Sequence, residues 1–141
     1  MTITQVLDRV RKERRTSLTE VEAKEILRNA GIPVIETKLA RTKKEAVSIS
    51  KKMGFPIALK IASPDVMHKS DTGGVKLNLK NNAQVSKAYT DIIFVVKKSY
   101  PKAKIEGVSV QKMARPGIEV IIGVTKDAQF GPVLMFGLGG I

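Results

Sequence analysis

The sequence contains no cysteine and no tryptophan, and it has a single histidine, His68, among 141 residues. Without cysteine the chain can form neither a disulfide nor a thiolate nucleophile. A metal site of the histidine–cysteine type is also not expected. No apolar run approaches the roughly 20 residues that a membrane-spanning helix requires, and the N-terminal stretch lacks the apolar segment of a secretory signal. We therefore expect a cytoplasmic protein with no membrane partner.

Aromatic residues are few, two tyrosines and four phenylalanines, whereas basic residues are in excess. Lysine and arginine number 25 against 13 acidic residues, which gives a net charge of +12. Such a charge attracts polyanions, namely nucleic acid, nucleotides, coenzyme A or an acidic protein. The basic residues are spread along the chain, and no aromatic residue interleaves with the densest cluster, 9–15, as single-strand stacking would need. The pattern argues against a nucleic-acid partner.

Two Ser/Thr-x-x-Glu patterns predict where helices begin. In such a capping box the hydroxyl accepts from the backbone three residues on, and the glutamate reaches back. The patterns lie at Ser17–Glu20 and Thr42–Glu45. A glycine is predicted to end the helix that each opens, at Gly31 and Gly54. A third helix is predicted to run from Asn81 or the next residue to the following proline.

Apolar or alternating segments between these helices predict strands. The predicted strands are PVIETKLA, IALKIA, VKLNLK, EGVSVQKM, IEVIIGVT and PVLMF. The Pro-Gly segment at 114–117 is predicted to join the fourth and fifth strands as a hairpin-like turn. The resulting order of elements indicates an α+β or α/β layer arrangement in one domain.

Lys60 is the one charged residue in the strand IALKIA. Lysine is rarely buried without a partner, and two interpretations remain open. Lys60 either lies on the solvent face of an alternating strand or directs its ammonium into a nucleotide cleft, where it would contact phosphate.

His68 lies in the polar loop SPDVMHKSDTGGV, just ahead of Gly73 and Gly74. A lone loop histidine is commonly an ordinary surface residue. An acid–base role would need an orienting partner, for which only Asp71 is close in sequence, whereas a histidine nitrogen can also carry a phosphoryl group as a covalent intermediate. The two glycines could offer backbone N–H groups to phosphate oxygens, or could simply form a tight turn.

Gln111 and Glu119 lie eight residues apart in VSVQKMARPGIEVIIGV, on either side of the predicted turn. Side chains and free backbone groups at such strand ends could read an adenine edge and ribose hydroxyls. Glu119 could equally be the exposed position of an alternating strand.

The segments ALKIASPDVMHKSDTGGVKLNL and VQKMARPGIEVIIGVTKDAQFGPVLMFGLGGI resemble the ATP-grasp β subunit of ADP-forming (NDP-forming) acetyl-CoA and acyl-CoA synthetases, which are related to succinyl-CoA synthetase. HKSDTGGV and FGPVLMFGLGG carry most of the resemblance, which covers 17–141. It implies an α+β fold (α/β layers), the N-terminal portion of an ATP-grasp domain, with a mixed β-sheet flanked by helices. Residues 1–16 are expected to form a separate basic helix, and 17–141 a partial ATP-grasp domain.

The resemblance also implies roles for particular residues. His68 would be a phosphohistidine that relays phosphate from the α subunit to ADP, Lys60 would contact the nucleotide phosphates, and Glu119 would help to hold the nucleotide. Two further groups are implied to bind nucleotide, a phosphate cradle and a hinge strand whose backbone reads adenine: Gly73 and Gly74; Gln111, Lys112, Met113 and Ala114.

The implied enzyme is an acid–CoA ligase that catalyses acyl-CoA + ADP + phosphate ⇌ acid + CoA + ATP. Its nucleotide is ATP or ADP, and its partner is a CoA-binding α subunit or domain. Magnesium is expected in the complete enzyme, with ligands in a later segment that this chain lacks, so the chain is expected to be a truncated β subunit that is inactive alone. Two alternatives stay open, a non-catalytic nucleotide-binding or interaction module and a basic nucleic-acid-binding protein.

Overall fold

The computed structural model describes residues 1–66 and 69–139. Its elements in these ranges are, in chain order, α1 (Ile3–Lys12), α2 (Glu20–Asn29), β1 (Thr37–Ala40), α3 (Lys43–Met53), β2 (Ile57–Ala62), β3 (Val75–Leu79), α4 (Asn82–Ser99), β4 (Gly107–Lys112), β5 (Val120–Asp127) and β6 (Gly131–Leu138). None of the helices in the described part of the chain is long and apolar enough to cross a membrane. The predicted α+β class is confirmed.

Four strands form one sheet in the order β1-β4-β2-β3, and β5 pairs with β6 in a separate two-stranded sheet. Every strand pair in the described ranges is antiparallel, so the predicted mixed sheet is wrong. The two strands on either side of α3, β1 and β2, do run parallel to each other. They are not neighbours, however, because β4 inserts between them and runs antiparallel to both.

The predicted hairpin-like turn between the fourth and fifth strands is also wrong. β4 pairs with β1 and β2, whereas the strand β5 that follows the Pro-Gly segment pairs with β6. The segment 113–119 therefore leads from one sheet to the other instead of folding a strand back on its predecessor.

The helix starts are confirmed for α3 and α4 but displaced for α2. Thr42 caps α3 by accepting from the Glu45 backbone N–H at 3.1 Å, and Asn81 caps α4. The cap of α2 is Thr19, not Ser17: its hydroxyl accepts from Glu22 N, and the Glu22 carboxylate accepts from Thr19 N at 2.8 Å. The capping box of α2 therefore lies two residues beyond the predicted one.

Glu22 also helps to hold α1 against α2. Its carboxylate accepts from Arg9 at 3.0 Å and from Arg15 at 2.7 Å, and Glu22 is 6% exposed. Val6 and Val10 of α1 are buried as well. Part of the basic cluster at 9–15 thus serves to attach the N-terminal helix.

The hydrophobic core lies on one face of the four-stranded sheet. β2 and β4 contribute alternate side chains to it, and α3 and α4 cover them; the core residues of these four elements are Ala46, Ile57, Leu59, Ile61, Val85, Ala88, Ile92, Val96, Val108 and Val110. Because strand side chains alternate between faces, Lys60 and its register partner Ser109 lie on the opposite face. That second face is polar, and α2 contacts it through Glu20 and Lys24.

Candidate functional site

An open groove with a volume of about 820 Å³ lies on the polar face of the sheet, where β4 leads towards β5. Residues far apart in sequence meet there, and five of the predicted site residues line it: Lys60, Gln111, Met113, Ala114 and Glu119. Its other lining residues come from the start of α2, from the turn at 69–71 and from β3: Glu20, Lys69, Ser70, Asp71, Val75 and Leu77.

Three other predicted residues are not among those that line the groove. Lys112 follows Gln111 in β4, so its side chain leaves the strand on the other side, where its Nζ approaches Gly54. Gly73 and Gly74 lie in the turn before β3 and follow the lining residues Lys69 and Asp71 in the sequence. His68, the predicted phosphohistidine, lies outside the described residues.

Lys60 is neither solvent-exposed nor unpaired. Its Nζ donates to Glu20 Oε1 at 2.9 Å, and 24% of its side chain is exposed. Glu20 comes from the first turn of α2, forty residues earlier in the chain. The lysine of β2 therefore reaches the groove with a carboxylate partner from a helix.

The Glu20 carboxylate has two more lysines around it. Oε1 lies 3.0 Å from Lys24 Nζ, and Oε2 lies 3.8 Å from Lys69 Nζ. Three ammonium groups thus surround one carboxylate, and the local formal charge is positive. We call Glu20, Lys24, Lys60 and Lys69 the lysine cluster.

The pKa values in the lysine cluster follow from this crowding. Burial alone would raise the pKa of Glu20, but the hydrogen bonds and charges of Lys60 and Lys24 outweigh burial and hold that pKa below its ordinary value. Burial lowers the pKa of Lys69, and the neighbouring charges of Lys60 and Lys24 lower it further, against the opposite effect of Glu20. An added anion would relieve the repulsion among these ammonium groups.

Lys24 connects the lysine cluster to the polar face of the sheet. Its Nζ donates to Gln111 Oε1 at 2.6 Å and to Thr37 Oγ1 at 2.9 Å. Because an ammonium group only donates, the amide oxygen of Gln111 must face Lys24. The amide nitrogen of Gln111 is therefore the atom that can donate to a ligand in the groove.

Both backbone N–H groups that were predicted to bind phosphate have acceptors within the chain. Gly73 N donates to Ser70 O at 3.2 Å, and Gly74 N donates to Lys69 O at 2.8 Å. A Cβ atom at position 74 would lie 2.8 Å from Ile61 Cγ2 and 2.9 Å from Lys69 O. Close packing accounts for Gly74 in this structure, and the phosphate cradle stays a prediction.

At the end of β4, one backbone group of the predicted adenine-reading segment is also engaged. Met113 N donates to Pro56 O at 3.1 Å, so this N–H already has an acceptor. Glu119 lies one residue before β5, and its carbonyl oxygen accepts from Gly139 N at 2.9 Å. Glu119 also lines the groove.

The groove does not present a set of ligands for magnesium. Its carboxylates are Glu20, Asp71 and Glu119, but within the described residues no three aspartate, glutamate, histidine or cysteine side chains converge as a metal site. Glu20 is moreover held by lysines. Magnesium prefers carboxylate and water oxygens in an octahedral arrangement, and we assign no step to a metal here.

Sequence reasoning missed Glu20 and Lys24 as members of the site. Their spacing in EVEAK, four residues apart on a helix, was a visible signal, because such a pair can form an ion pair on one helix face. Nothing local in the sequence indicated that this pair would meet Lys60.

A family model described as ATP-grasp domain matches residues 9–141. Over 137 residues the chain is 46% identical to the β subunit of acetate–CoA ligase (ADP-forming) I from Pyrococcus furiosus, and this match includes 97% of the chain and 59% of that subunit. The chain thus spans about three fifths of the length of this relative.

Two solved structures of the dinucleotide-forming acetyl-coenzyme A synthetase 1 of Ca. Korarchaeum cryptofilum are also similar. The complex with coenzyme A, Ca-AMPCP and HgCl+ gives a TM-score of 0.93 at 51% identity, over 96% of this chain and 59% of that one. The complex with coenzyme A and Mg-AMPPCP, whose phosphohistidine segment points towards the nucleotide binding site, gives 0.80 at 45% identity, over 99% and 58%.

Proposed function

The chain belongs to the ATP-grasp family, and we propose that its groove binds the ADP or ATP of an ADP-forming acid–CoA ligase. In this proposal the chain forms part of the β subunit, and a CoA-binding α subunit or domain is its partner. The reaction is acyl-CoA + ADP + phosphate ⇌ acid + CoA + ATP.

The observation that carries the proposal is the lysine cluster in the groove. Lys60 and Lys69 both line the groove, and the cluster holds three ammonium groups against one carboxylate. An excess of positive charge in a partly buried cleft attracts anions, and ammonium groups are common phosphate ligands. We therefore assign the phosphates of the nucleotide to this end of the groove.

The base and ribose are assigned to the other end of the groove. Lys24 holds the amide oxygen of Gln111, so its amide nitrogen can donate to a ligand, and Met113 and Ala114 follow it along the groove. A donor at this point suits an acceptor atom of the adenine ring or a ribose oxygen. Glu119 could accept from ribose hydroxyl groups.

His68 is proposed to carry the phosphoryl group between the two subunits. The support is its position in the sequence, since it directly precedes Lys69, which lines the groove. In the step towards ATP, an oxygen of the ADP β-phosphate attacks the phosphorus atom, the P–N bond to the imidazole breaks, and neutral His68 is released. Lys60 and Lys69 offset the negative charge at the acceptor.

A decisive test of nucleotide binding compares two lysines of the sheet. Lys60 lines the groove, whereas the side chain of Lys112 lies outside it. We expect Lys60→Met to weaken ADP binding by about tenfold or more, since a hydrogen bond to a charged group contributes roughly 1.5 to 3 kcal/mol. Lys112→Met removes the same charge outside the groove and should change the affinity by less than about threefold, because exposed charges are screened. Isothermal titration calorimetry measures both. Equal effects of the two variants would remove the support for this site.

The relay requires the full complex. The chain is incubated with a CoA-binding α subunit, acetyl-CoA and labelled phosphate, and acid-labile, base-stable label on the chain is counted. His68→Ala should remove that label while the circular dichroism spectrum stays unchanged. Undiminished label on His68→Ala would contradict the relay. Nucleotide binding without any label on the wild-type chain would favour the second candidate, a non-catalytic nucleotide-binding module, which the partial coverage of the relatives keeps open.

A further inference from the structure

The Glu20 carboxylate occupies the centre of the groove's positive charge. Its Oε1 accepts from Lys60 at 2.9 Å and lies 3.0 Å from Lys24, while its Oε2 lies 3.8 Å from Lys69. Two anionic oxygens on one small planar group thus face three ammonium groups. Two oxygens of a phosphate group would make contacts of the same kind, because short charge-assisted hydrogen bonds form equally with carboxylate and phosphate.

The three lysines do not stand in the same relation to the groove. Glu20, Lys60 and Lys69 line it, whereas Lys24 does not. Lys24 instead lies one helical turn after Glu20 in α2 and donates to Thr37 and Gln111 on the sheet. Two of the lysines are therefore accessible to a ligand, and the third is engaged by the protein.

We propose that Glu20 is an internal competitor of the nucleotide phosphate for Lys60 and Lys69. When phosphate binds, these two ammonium groups exchange the carboxylate for phosphate oxygens, and Glu20 stays paired with Lys24. This inference rests on the proposed nucleotide site and adds to it a residue that lowers, and does not raise, the affinity for the ligand.

Charge gives the exchange its direction. A terminal phosphate group carries about 1.5 to 2 negative charges at neutral pH, more than the single charge of Glu20. The side chains of the lysine cluster are only 19% to 24% exposed, so solvent screens their interactions less than on an open surface. The phosphate gains two ammonium partners, and the carboxylate keeps one.

The alternative role for Glu20 is to position Lys60 for the ligand, and the two roles predict opposite signs. A positioning carboxylate makes Lys60 a better phosphate ligand, so its removal would weaken nucleotide binding. A competing carboxylate must be displaced before phosphate binds, so its removal would strengthen binding. The sign of one measured change separates these two roles.

The experiment is calorimetric titration of the folded chain with ADP and, separately, with inorganic pyrophosphate, which has no base. Glu20→Gln keeps the size of the side chain and removes its charge. Glu36→Gln is the matched control, because it removes the same unit charge from an exposed pair with Lys38 outside the groove. We expect Glu20→Gln to bind both ligands about tenfold more tightly, which corresponds to about 1.4 kcal/mol, and Glu36→Gln to change either affinity by less than about twofold, as for a screened surface charge.

Binding by Glu20→Gln that is weaker than in the wild type, or no tighter than in Glu36→Gln, overturns the inference. If Glu20→Gln does not fold, Glu20→Asp replaces it. Its carboxylate is one methylene further from the lysines, so it should bind pyrophosphate more tightly than the wild type; equal or weaker binding overturns the inference as well. Failure of the nucleotide site itself is recognised separately, because ADP affinity would then be unchanged in Lys60→Met.

Discussion

The four-stranded sheet and the β5–β6 hairpin are equally apolar in sequence but differ in what covers them. In β2, Leu59 and Ile61 have no exposed surface, because α3 and α4 pack over them. In β6, Leu134 and Phe136 are 70% and 69% exposed, and within the described residues this strand pairs only with β5. An apolar strand becomes core only where a second layer covers it, and composition alone does not distinguish the two cases.

The comparison also separates two sources of stability. The sheet is held by burial of side chains between layers, whereas the hairpin is held by its own cross-strand pairs. A two-stranded sheet is only marginally stable by itself in water, and exposed apolar area of this extent is typical of a surface that contacts another molecule or segment. We expect the two regions to respond differently to the same substitution.

The largest difference is expected for leucine truncation. Leu59→Ala in β2 should lower the free energy of unfolding by about 2 to 5 kcal/mol, because it leaves a cavity in the core. Leu134→Ala in β6 should change it by less than about 0.5 kcal/mol, as for other exposed positions. Urea denaturation followed by circular dichroism measures both. Similar losses in the two variants would mean that the hairpin is as well packed as the sheet.

Glycine replacement gives a second contrast. Gly107 begins β4 at a φ of +136°, and a Cβ atom there would collide with the carbonyl oxygen of Ala40. Gly107→Ala should destabilise the fold by about 2 to 4 kcal/mol through overpacking and backbone strain. Gly131 in the hairpin has a φ of +73° but open space around it, so Gly131→Ala should cost only about 1 to 2 kcal/mol of strain, and that cost should be confined to the hairpin. Thermal melts of the two variants test the order; it is contradicted if Gly131→Ala is the more harmful.

Acid should weaken the attachment of α1 to α2 through Glu22. Burial would raise the pKa of this carboxyl, but hydrogen bonds from Arg15 and Thr19 outweigh burial and lower the pKa from 4.5 to about 2. A lowered pKa in the folded state stabilises the protein above pH 4.5, and this stabilisation is lost as the pH falls towards 2.

We expect Glu22 to contribute about 1 to 2 kcal/mol to the free energy of unfolding, which is less than the full pKa shift would give. The reason is that solvent reaches Arg9, the exposed partner of Glu22, and screens the charges around this carboxylate. Glu22→Gln should flatten the decline of stability between pH 4.5 and 2, as measured by urea denaturation at each pH. Asp127→Asn is the control in the hairpin, where backbone N–H groups of Phe130 and Gln129 lower the pKa of an exposed carboxyl. An unaltered acid profile for Glu22→Gln would exclude this carboxylate as the cause.

The smallest effect is expected within the hairpin. Val124 and Leu134 face each other across β5 and β6, and such a cross-strand pair contributes roughly 0.2 to 1 kcal/mol. Val124→Ala should therefore accelerate hydrogen exchange of the hairpin amides by up to about fivefold and leave the amides of β2 and β4 unchanged. If exchange in β2 and β4 accelerates equally, the hairpin and the sheet unfold as one unit.

Local signals predicted the starts of two helices well, because Thr42 had no competitor nearby and the two candidates for α4, Asn81 and Asn82, are adjacent. At α2, two overlapping patterns, SLTE and TEVE, fulfil the same capping rule two residues apart. The choice between them depends on Arg9 and Arg15, whose ion pairs with Glu22 favour the second pattern. A contact from another element decided this boundary, and no local pattern contains it.

The order of strands could not be read from the sequence for a similar reason. The insertion of β4 between β1 and β2 depends on pairing across about fifty or more residues, as between Lys60 and Ser109. A charge that interrupts an apolar strand drew attention to Lys60, which does line the groove, and its contact with nucleotide stays a prediction. No such signal marks Glu20 and Lys24, which look like an ordinary surface ion pair of a helix until the sheet is placed beneath them.

Two main-chain hydrogen bonds at Gly74 connect the backbone segments that carry Lys60 and Lys69. Ile61 N donates to Gly74 O at 2.7 Å, and Gly74 N donates to Lys69 O at 2.8 Å. Because Lys60 is the covalent neighbour of Ile61, the backbones of both lysines are fixed through one glycine, and only their side-chain stems can adjust. In the proposed nucleotide site, this fixed backbone spacing limits how far apart the two ammonium groups can move, and so favours anions whose charged oxygens lie within that range.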